Sequence, residues 1–360
     1  MMERRRCGKT GLELPLMGIG CWSFGGGDYW GSQDQSDVDR VVALGVERGC
    51  SYFDTAEVYN DGASESSLGK AVRKVPRDSV LIGTKIRPEN ASAQGIRDHL
   101  DASLERLKTD YVDVYMLHYP IEGTDESNEA VGSDAEAATK SDFSVAAPTP
   151  DESEALAALA DLRTQGKIRH IGVSNYGPEQ LSRILQQGVE IAVNQVAYGL
   201  LMRAVESAVL PACVEAGVGV MGYMPLMQGL LAGKYAAPEE VPPERARTRH
   251  YSGDRPGARH GGPGIEREVF EFVDWLRSLS GETGLGVADL SLAWCAQNPA
   301  VTCVLVGVRN EKQMEANMRS FSLKLDPEVA RRLDEKSRPI LEALGDSADY
   351  WESWENRRSR

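Results

Sequence analysis

Residues 80–118 read VLIGTKIRPENASAQGIRDHLDASLERLKTDYVDVYMLH, and the succession of patterns in this stretch decides the fold. Val80–Lys85 is a short apolar run ending in a lysine, and Val112–His118 is another ending in a histidine. Both have the length and the β-branched, apolar composition of strands. Between them Ile96, Leu100, Leu104 and Leu107 recur at i, i+4, i+8 and i+11, which places them on one face of a helix. Strand, helix and strand in this order form a βαβ unit, whose crossover leaves the two strands parallel.

The alternation continues on both sides. Further strands are predicted at Met17–Gly20, Ser51–Asp54, His170–Ser174, Ile191–Gln195, Gly219–Tyr223 and Thr302–Gly307, eight in all, after a hairpin-like start around Lys9-Thr10-Gly11. The helices between them carry start signals. Ser36 with Asp39 resembles a capping box ahead of Val38, Val41, Val42 and Val46. Thr149 is the expected N-cap of a helix with Pro150 at N1 and Glu152 at N3, burying Leu156, Leu159 and Leu162 and ending at Gly166. Pro178 opens another helix, whose buried face is Leu181, Ile184 and Leu185. Eight strands each followed by a helix predict an α/β fold of the (β/α)8 TIM-barrel type, with a doubly wound sheet as its rival.

A βα repeat needs about 30 residues. Two steps between strand ends exceed that, at 56 residues after His118 and 84 after Tyr223, so long loops are expected after the fourth and seventh strands. The expected organisation is a single barrel domain over 1–360, with an acidic insertion at 121–150, an Arg/Gly/Pro-rich loop at 236–264 and a C-terminal tail at 340–360. The 121–150 segment holds seven acidic residues against one lysine, with little to bury, and reads as a surface loop. The 236–264 loop, with five arginines, could order over a ligand at the functional rim or remain solvated. Its arginines suit an anionic substrate or a cofactor's phosphates.

Composition removes several classes of function. Of the 360 residues 41% are apolar and 26% charged, an ordinary globular balance. The formal net charge of −14 repels phosphate backbones and anionic lipid, so neither nucleic acid nor membrane is an expected partner. Six scattered cysteines without a C-x-x-C read as buried thiols in a reducing compartment. With neither an apolar signal region nor a long apolar span, a cytoplasmic location is expected. The five histidines lack metal-ligand spacing, so no metal is expected. Gly217–Gly222 matches G-x-G-x-x-G but runs into a strand, whereas a phosphate-binding version follows one and opens a helix.

The chemistry sits at the predicted strand ends. Asp54 closes the second strand, with Tyr59 in the loop beyond, Lys85 closes the third and His118 the fourth. Ser174 and Asn175 follow on the fifth, Gln195 on the sixth and Tyr223 on the seventh. Any one of these could be a mere turn former. A lysine ending an apolar barrel strand needs a partner, however, and all these ends share the rim where barrel enzymes place their chemistry.

The segments DTAEVY, GVSN, NQVAY, YMPLMQGLLAGKY and VGVRNEKQMEAN, together with Lys85 and His118, resemble the aldo-keto reductase superfamily from about Leu14 to Asn317, including members related to potassium-channel β-subunits. The resemblance implies carbonyl reduction with a nicotinamide dinucleotide, usually NADPH (NADP+) with NADH possible, and a small-molecule carbonyl substrate. It implies a catalytic set of Asp54, Tyr59, Lys85 and His118. Tyr59 would be the general acid, Lys85 would lower its pKa, Asp54 would hold Lys85, and His118 would orient the substrate oxygen. Trp22, Tyr59 and His118 would meet substrate.

The cofactor positions implied are Gly20, Cys21, Trp22 and Asp54 at the first rim loops, and Ser174, Asn175 and Gln195 at the carboxamide. Tyr223 would lie under the ring, and Pro225, Leu226, Gly229, Leu230 and Lys234 along the pyrophosphate. Gly307, Arg309, Gln313 and Asn317 would hold the adenosine end. Arg309 is the expected 2′-phosphate contact, beside a helix that Asn310 would cap. The chain departs from the family pattern at Ala316, where Glu is usual, and at Cys21, where Thr is common. Trp22, Phe24, Tyr29 and Trp30 suit either a pocket wall or local packing. The aromatic tail DYWESWENRR suits either a pocket cap or a subunit contact, and the oligomeric state stays open. A regulatory, cofactor-sensing subunit with little turnover is the alternative function.

Overall fold

The computed structural model describes residues 2–121 and 150–360, so the expected acidic insertion at 121–150 lies, but for its two ends, outside the described residues. A short antiparallel hairpin comes first, from β1 (Arg4–Arg6) and β2 (Glu13–Pro15), with Arg5 opposite Leu14. Eight parallel strands then close into a barrel: β3 (Met17–Gly20), β4 (Tyr52–Asp54), β5 (Leu81–Ile86), β6 (Val112–Leu117), β7 (Ile168–Ser174), β8 (Ile191–Ala197), β9 (Gly219–Tyr223) and β10 (Cys303–Gly307). Their order around the wall is sequential, with β10 pairing both β9 and β3. This is the (β/α)8 barrel, and closure of the ring excludes the doubly wound sheet.

The outer layer contains α1 (Gln35–Arg48), α2 (Ala63–Val72), α3 (Ala93–Leu107), α4 (Glu152–Thr164) and α5 (Pro178–Gln186). It continues with α6 (Val209–Ala216), α7 (Glu266–Thr283), α8 (Val287–Gln297), α9 (Glu311–Ser322) and α10 (Pro327–Leu344). The stripe Ile96, Leu100, Leu104 and Leu107 is buried along α3, as its spacing requires. Two expected helix starts are corrected. Asp34, not Ser36, is the N-cap of α1, and Asp39 instead binds Lys74 on the neighbouring segment. Asp151, not Thr149, caps α4 by accepting from Ser153 N at 2.8 Å and Glu154 N at 3.0 Å. At α4 the aspartate nearer the first apolar turn supplies the cap, whereas α1 starts one residue before Ser36 and its N-cap Asp34 makes no side-chain cap bond.

The barrel lumen is filled rather than open. Tyr52, Val114, Met116, Val193, Met221, Cys303 and Leu305 pack inside it, and the hairpin adds Cys7, Leu12 and Leu14 at the amino-terminal end. Gly83 shows how tight this layer is, because a Cβ there would lie 2.1 Å from the Tyr52 hydroxyl. With that end plugged, the carboxyl end of the strands is the open one. The six cysteines are buried free thiols. No helix of the described residues is long and apolar enough to cross a membrane.

The 236–264 loop is folded into turns and is partly buried. It buries Val241, Ala246, Thr248, His250 and Tyr251. Burial pushes the His250 imidazole down to about 4, so the ring is neutral, with Nε2 2.7 Å from Leu201 O and Nδ1 3.0 Å from Thr248 Oγ1. The tail is tied to this loop. Arg249 N donates to Tyr350 O and Arg259 pairs with Glu352 at 2.8 Å, while within the tail Arg358 pairs with buried Asp349 at 2.9 Å.

Candidate active site

Asp54 is the last residue of β4, and Lys85 lies near the end of neighbouring β5. The register sets Asp54 opposite Gly83, so both side chains turn inward at the rim. Lys85 is fully buried, and each of its three N–H groups has an acceptor: Asp54 Oδ2 at 2.7 Å, Thr55 O at 2.7 Å and the Tyr59 oxygen at 3.3 Å. An ammonium only donates, so the phenol oxygen accepts from it and directs its own hydrogen elsewhere. Burial raises the Asp54 carboxyl above the usual carboxylate range, against the Lys85 ammonium and the Gln195 amide, which donates to Oδ1 at 2.8 Å. The half-buried ring of His118, one residue beyond β6, stands edge-on to Tyr59 with centroids 5.9 Å apart. Trp22 stacks on Tyr59 at 5.7 Å. A phenol, an ammonium, a carboxylate and an imidazole therefore converge from neighbouring strands.

The loop carrying Tyr59 is pinned by a residue that sequence reasoning missed. Glu57 is buried and accepts from Arg87 N and Asn90 Nδ2, each at 3.0 Å, and its other oxygen lies 2.6 Å from His99 Nδ1 on α3. Desolvation would raise the Glu57 carboxyl, but His99 and the two N–H donors outweigh it and hold it below its usual value. The same bond raises the His99 pKa. A histidine raised in this way stabilises the fold fully below its unfolded pKa of about 6.5, and that contribution disappears as pH rises through the folded value. His99→Gln is therefore expected to cost up to about 1 kcal/mol at about pH 6 and nothing at about pH 9, a small effect because the ring is 40% exposed. Thermal melts at the two pH values check this. An equal loss at both would mean that the charge plays no part.

A cavity of about 380 Å³ opens above these residues. Gly20, Cys21, Trp22, Asp54, Tyr59, His118, Ser174, Asn175, Gln195 and Tyr223 line it at one side of the mouth. Pro225, Leu226, Gly229, Lys234, Gly307, Arg309, Gln313 and Asn317 line it toward the start of α9. Two residues from the sequence reading are absent from the wall. Leu230 is fully buried in the hydrophobic core, and Lys85 lies beneath the floor. Asn175 is in the left-handed region (φ +63°), where Tyr223 OH donates to its Oδ1 at 2.8 Å and its Nδ2 donates to His118 O at 3.0 Å. Met224, Met227 and Gln228 also have positive φ, so strained backbone is concentrated on this rim.

The far end of the cavity suits phosphate. Lys234 is held below the usual lysine range by desolvation and by repulsion from Arg245 and Arg309. No ion pair relieves these three cations among the described residues. Arg245 donates to Tyr235 OH, and Arg309 donates to Trp30 O, Ser32 O and Gln33 Oε1. Arg309 thus ties the first rim loop to the start of α9, a role its sequence position did not disclose. Asn310 caps α9 by accepting from Gln313 N at 3.0 Å. Among the described residues no group of His, Cys, Asp or Glu could hold a metal ion.

Of the aromatics in the first rim loop, Trp22 and Trp30 line the cavity, whereas Phe24 is buried beneath. Trp22 and Tyr29 stack at 4.8 Å. The tail reaches the same opening: Trp351 lines the cavity and stacks over Tyr223 at 6.3 Å, and Arg358 covers the Tyr119 ring at 4.0 Å. Neither Trp351 nor Arg87, which also lines the cavity, was singled out from sequence.

The sequence matches the model of the Aldo/keto reductase family over residues 16–338. It is 29% identical to the NADH-specific methylglyoxal reductase of Escherichia coli (strain K12), covering 95% of this chain and 99% of that one. A probable voltage-gated potassium channel subunit beta of Arabidopsis thaliana is 26% identical over 89% of this chain and 92% of its own. Among solved structures, an aldo-keto reductase from Klebsiella pneumoniae in complex with NADPH superposes with a TM-score of 0.67 at 25% identity, covering 93% of this chain and 95% of that one.

Proposed function

This chain belongs to the aldo/keto reductase family and is an NAD(P)H-dependent reductase, and from that premise we propose that it reduces an aldehyde or ketone to an alcohol with Tyr59 as the proton donor. The observation that carries this reading is the Lys85 ammonium, buried and bonded at once to Asp54 and to the Tyr59 oxygen. A bound nicotinamide dinucleotide supplies the hydride. The protein's part is to meet the negative charge that then develops on the carbonyl oxygen. Tyr59 gives up its proton to that oxygen, and Lys85 stabilises the phenolate left behind. Asp54 and Thr55 O fix the ammonium in place, and His118 orients the oxygen by hydrogen bonding. Asn175, Ser174 and Gln195 would hold the carboxamide and Tyr223 the ring, while Lys234, its neighbouring arginines and the α9 N-terminus would meet the phosphates. NADPH fits that uncompensated positive charge, and NADH remains usable.

The test mixes the protein with NADPH or NADH and a panel of aldehydes and ketones, following loss of the reduced cofactor's absorbance. Consumption that requires both protein and carbonyl is expected. Tight cofactor binding without consumption for any carbonyl would favour the regulatory reading, which the likeness to the channel subunit brings forward.

A further inference from the structure

Arg87 lies two residues beyond Lys85, in extended backbone (φ −66°, ψ 145°). Alternation along a strand returns its side chain to the face that carries Lys85, and Arg87 lines the cavity. Its backbone N–H is fixed by Glu57, on the loop that bears Tyr59. Its guanidinium is another matter. Nε is buried without a hydrogen-bond partner, and no ion pair engages the group among the described residues. In a chain of net charge −14, a half-buried arginine with no acceptor is a binding site in search of an anion.

The cofactor's phosphates are not that anion. The phosphate-suited cations Lys234 and Arg309 follow β9 and β10, and in the ring order β5 stands opposite β9 across the mouth. The one carboxylate on the cavity wall among the described residues is Asp54, whose charge is met by Lys85. Arg87 therefore lines the same cavity as Tyr59 and His118, with its charge unanswered among the described residues.

We propose that the substrate carries, besides its carbonyl, a carboxylate or phosphate group that Arg87 binds, so that Arg87 sets specificity for anionic aldehydes or ketones. This rests on the reductase reading. A guanidinium offers two parallel N–H donors to either oxyanion, and fixing that end of the substrate fixes the distance at which its carbonyl meets Tyr59.

The test measures kcat/KM with NADPH for two matched pairs, benzaldehyde with 4-carboxybenzaldehyde and glyceraldehyde with glyceraldehyde 3-phosphate. The charged member of at least one pair is expected to be preferred by about tenfold or more, mainly through KM. Which pair responds tells carboxylate from phosphate. Arg87→Gln should reduce the preference about ten- to a hundredfold, and Arg87→Lys by less, with both variants checked by circular dichroism and melting. Equal kcat/KM within both pairs would overturn the proposal. So would a preference that survives in folded Arg87→Gln, or an Arg87→Gln variant that loses NADPH affinity while keeping the preference. Failure to consume NADPH with all four aldehydes would instead overturn the reductase reading, and this proposal with it.

Discussion

Tyr59→Phe is expected to lower turnover in carbonyl reduction by about a thousandfold, within the range that a positioned general acid contributes. The substitution removes one oxygen at the edge of the cavity. That oxygen is the acceptor of the third Lys85 hydrogen bond at 3.3 Å, and in the proposed mechanism it is the source of the proton. Packing should survive, because the ring keeps its stack with Trp22 and its edge contact with His118. Single-turnover measurements with bound NADPH separate the loss of proton donation from any loss of binding. A variant that binds cofactor and turns over within severalfold of the unsubstituted protein would remove Tyr59 from the chemistry.

Lys85→Met should be nearly as damaging to turnover and much more damaging to the fold. It leaves the Asp54 carboxylate buried beside Gln195 without its cation, and breaking a buried pair from one side costs about 3–5 kcal/mol. Adding Asp54→Asn removes the stranded charge, so the double variant should regain part of the lost stability. It should regain none of the activity, because the phenol still lacks a cation beside it. Chemical denaturation and NADPH consumption measured on the same preparations distinguish the two effects. Activity returning together with stability would mean that the pair serves the fold alone.

Much of this site is legible in the sequence because two simple periodicities govern it. Alternation along β4 and β5 puts Asp54 and Lys85 inside the barrel at the rim. The stripe from Ile96 to Leu107 fixes α3 against the same strands, so β5 and β6 are neighbours and His118 falls beside Tyr59. What the sequence hides is set by partners distant along the chain. Glu57 and His99 look like unremarkable polar positions until the folding of α3 brings them within 2.6 Å. Arg309 reads as a free phosphate ligand, yet its guanidinium reaches the carbonyls of Trp30 and Ser32, across the junction of the first and last barrel strands. Leu230 sits in a segment whose neighbours face the cavity, but the kink at Gln228 and Gly229 turns it into the core. The loop at 236–264 has a solvated composition, and it is ordered by contacts such as His250 with Leu201 O that no local pattern announces. Trp351 could be placed over Tyr223 only once the tail's ties to Arg249 and Arg259 were known.

The pH dependence of kcat/KM for reduction, compared between the unsubstituted protein and Tyr59→Phe, tests the proton-donor claim most directly. Reduction requires the phenol in its protonated form, so the profile should carry an alkaline inflection that belongs to Tyr59. The rate should be level on the acid side, fall as pH rises through that inflection, and lose the inflection altogether in Tyr59→Phe. An unchanged inflection in Tyr59→Phe, or a rate that climbs with pH, would show that another group delivers the proton.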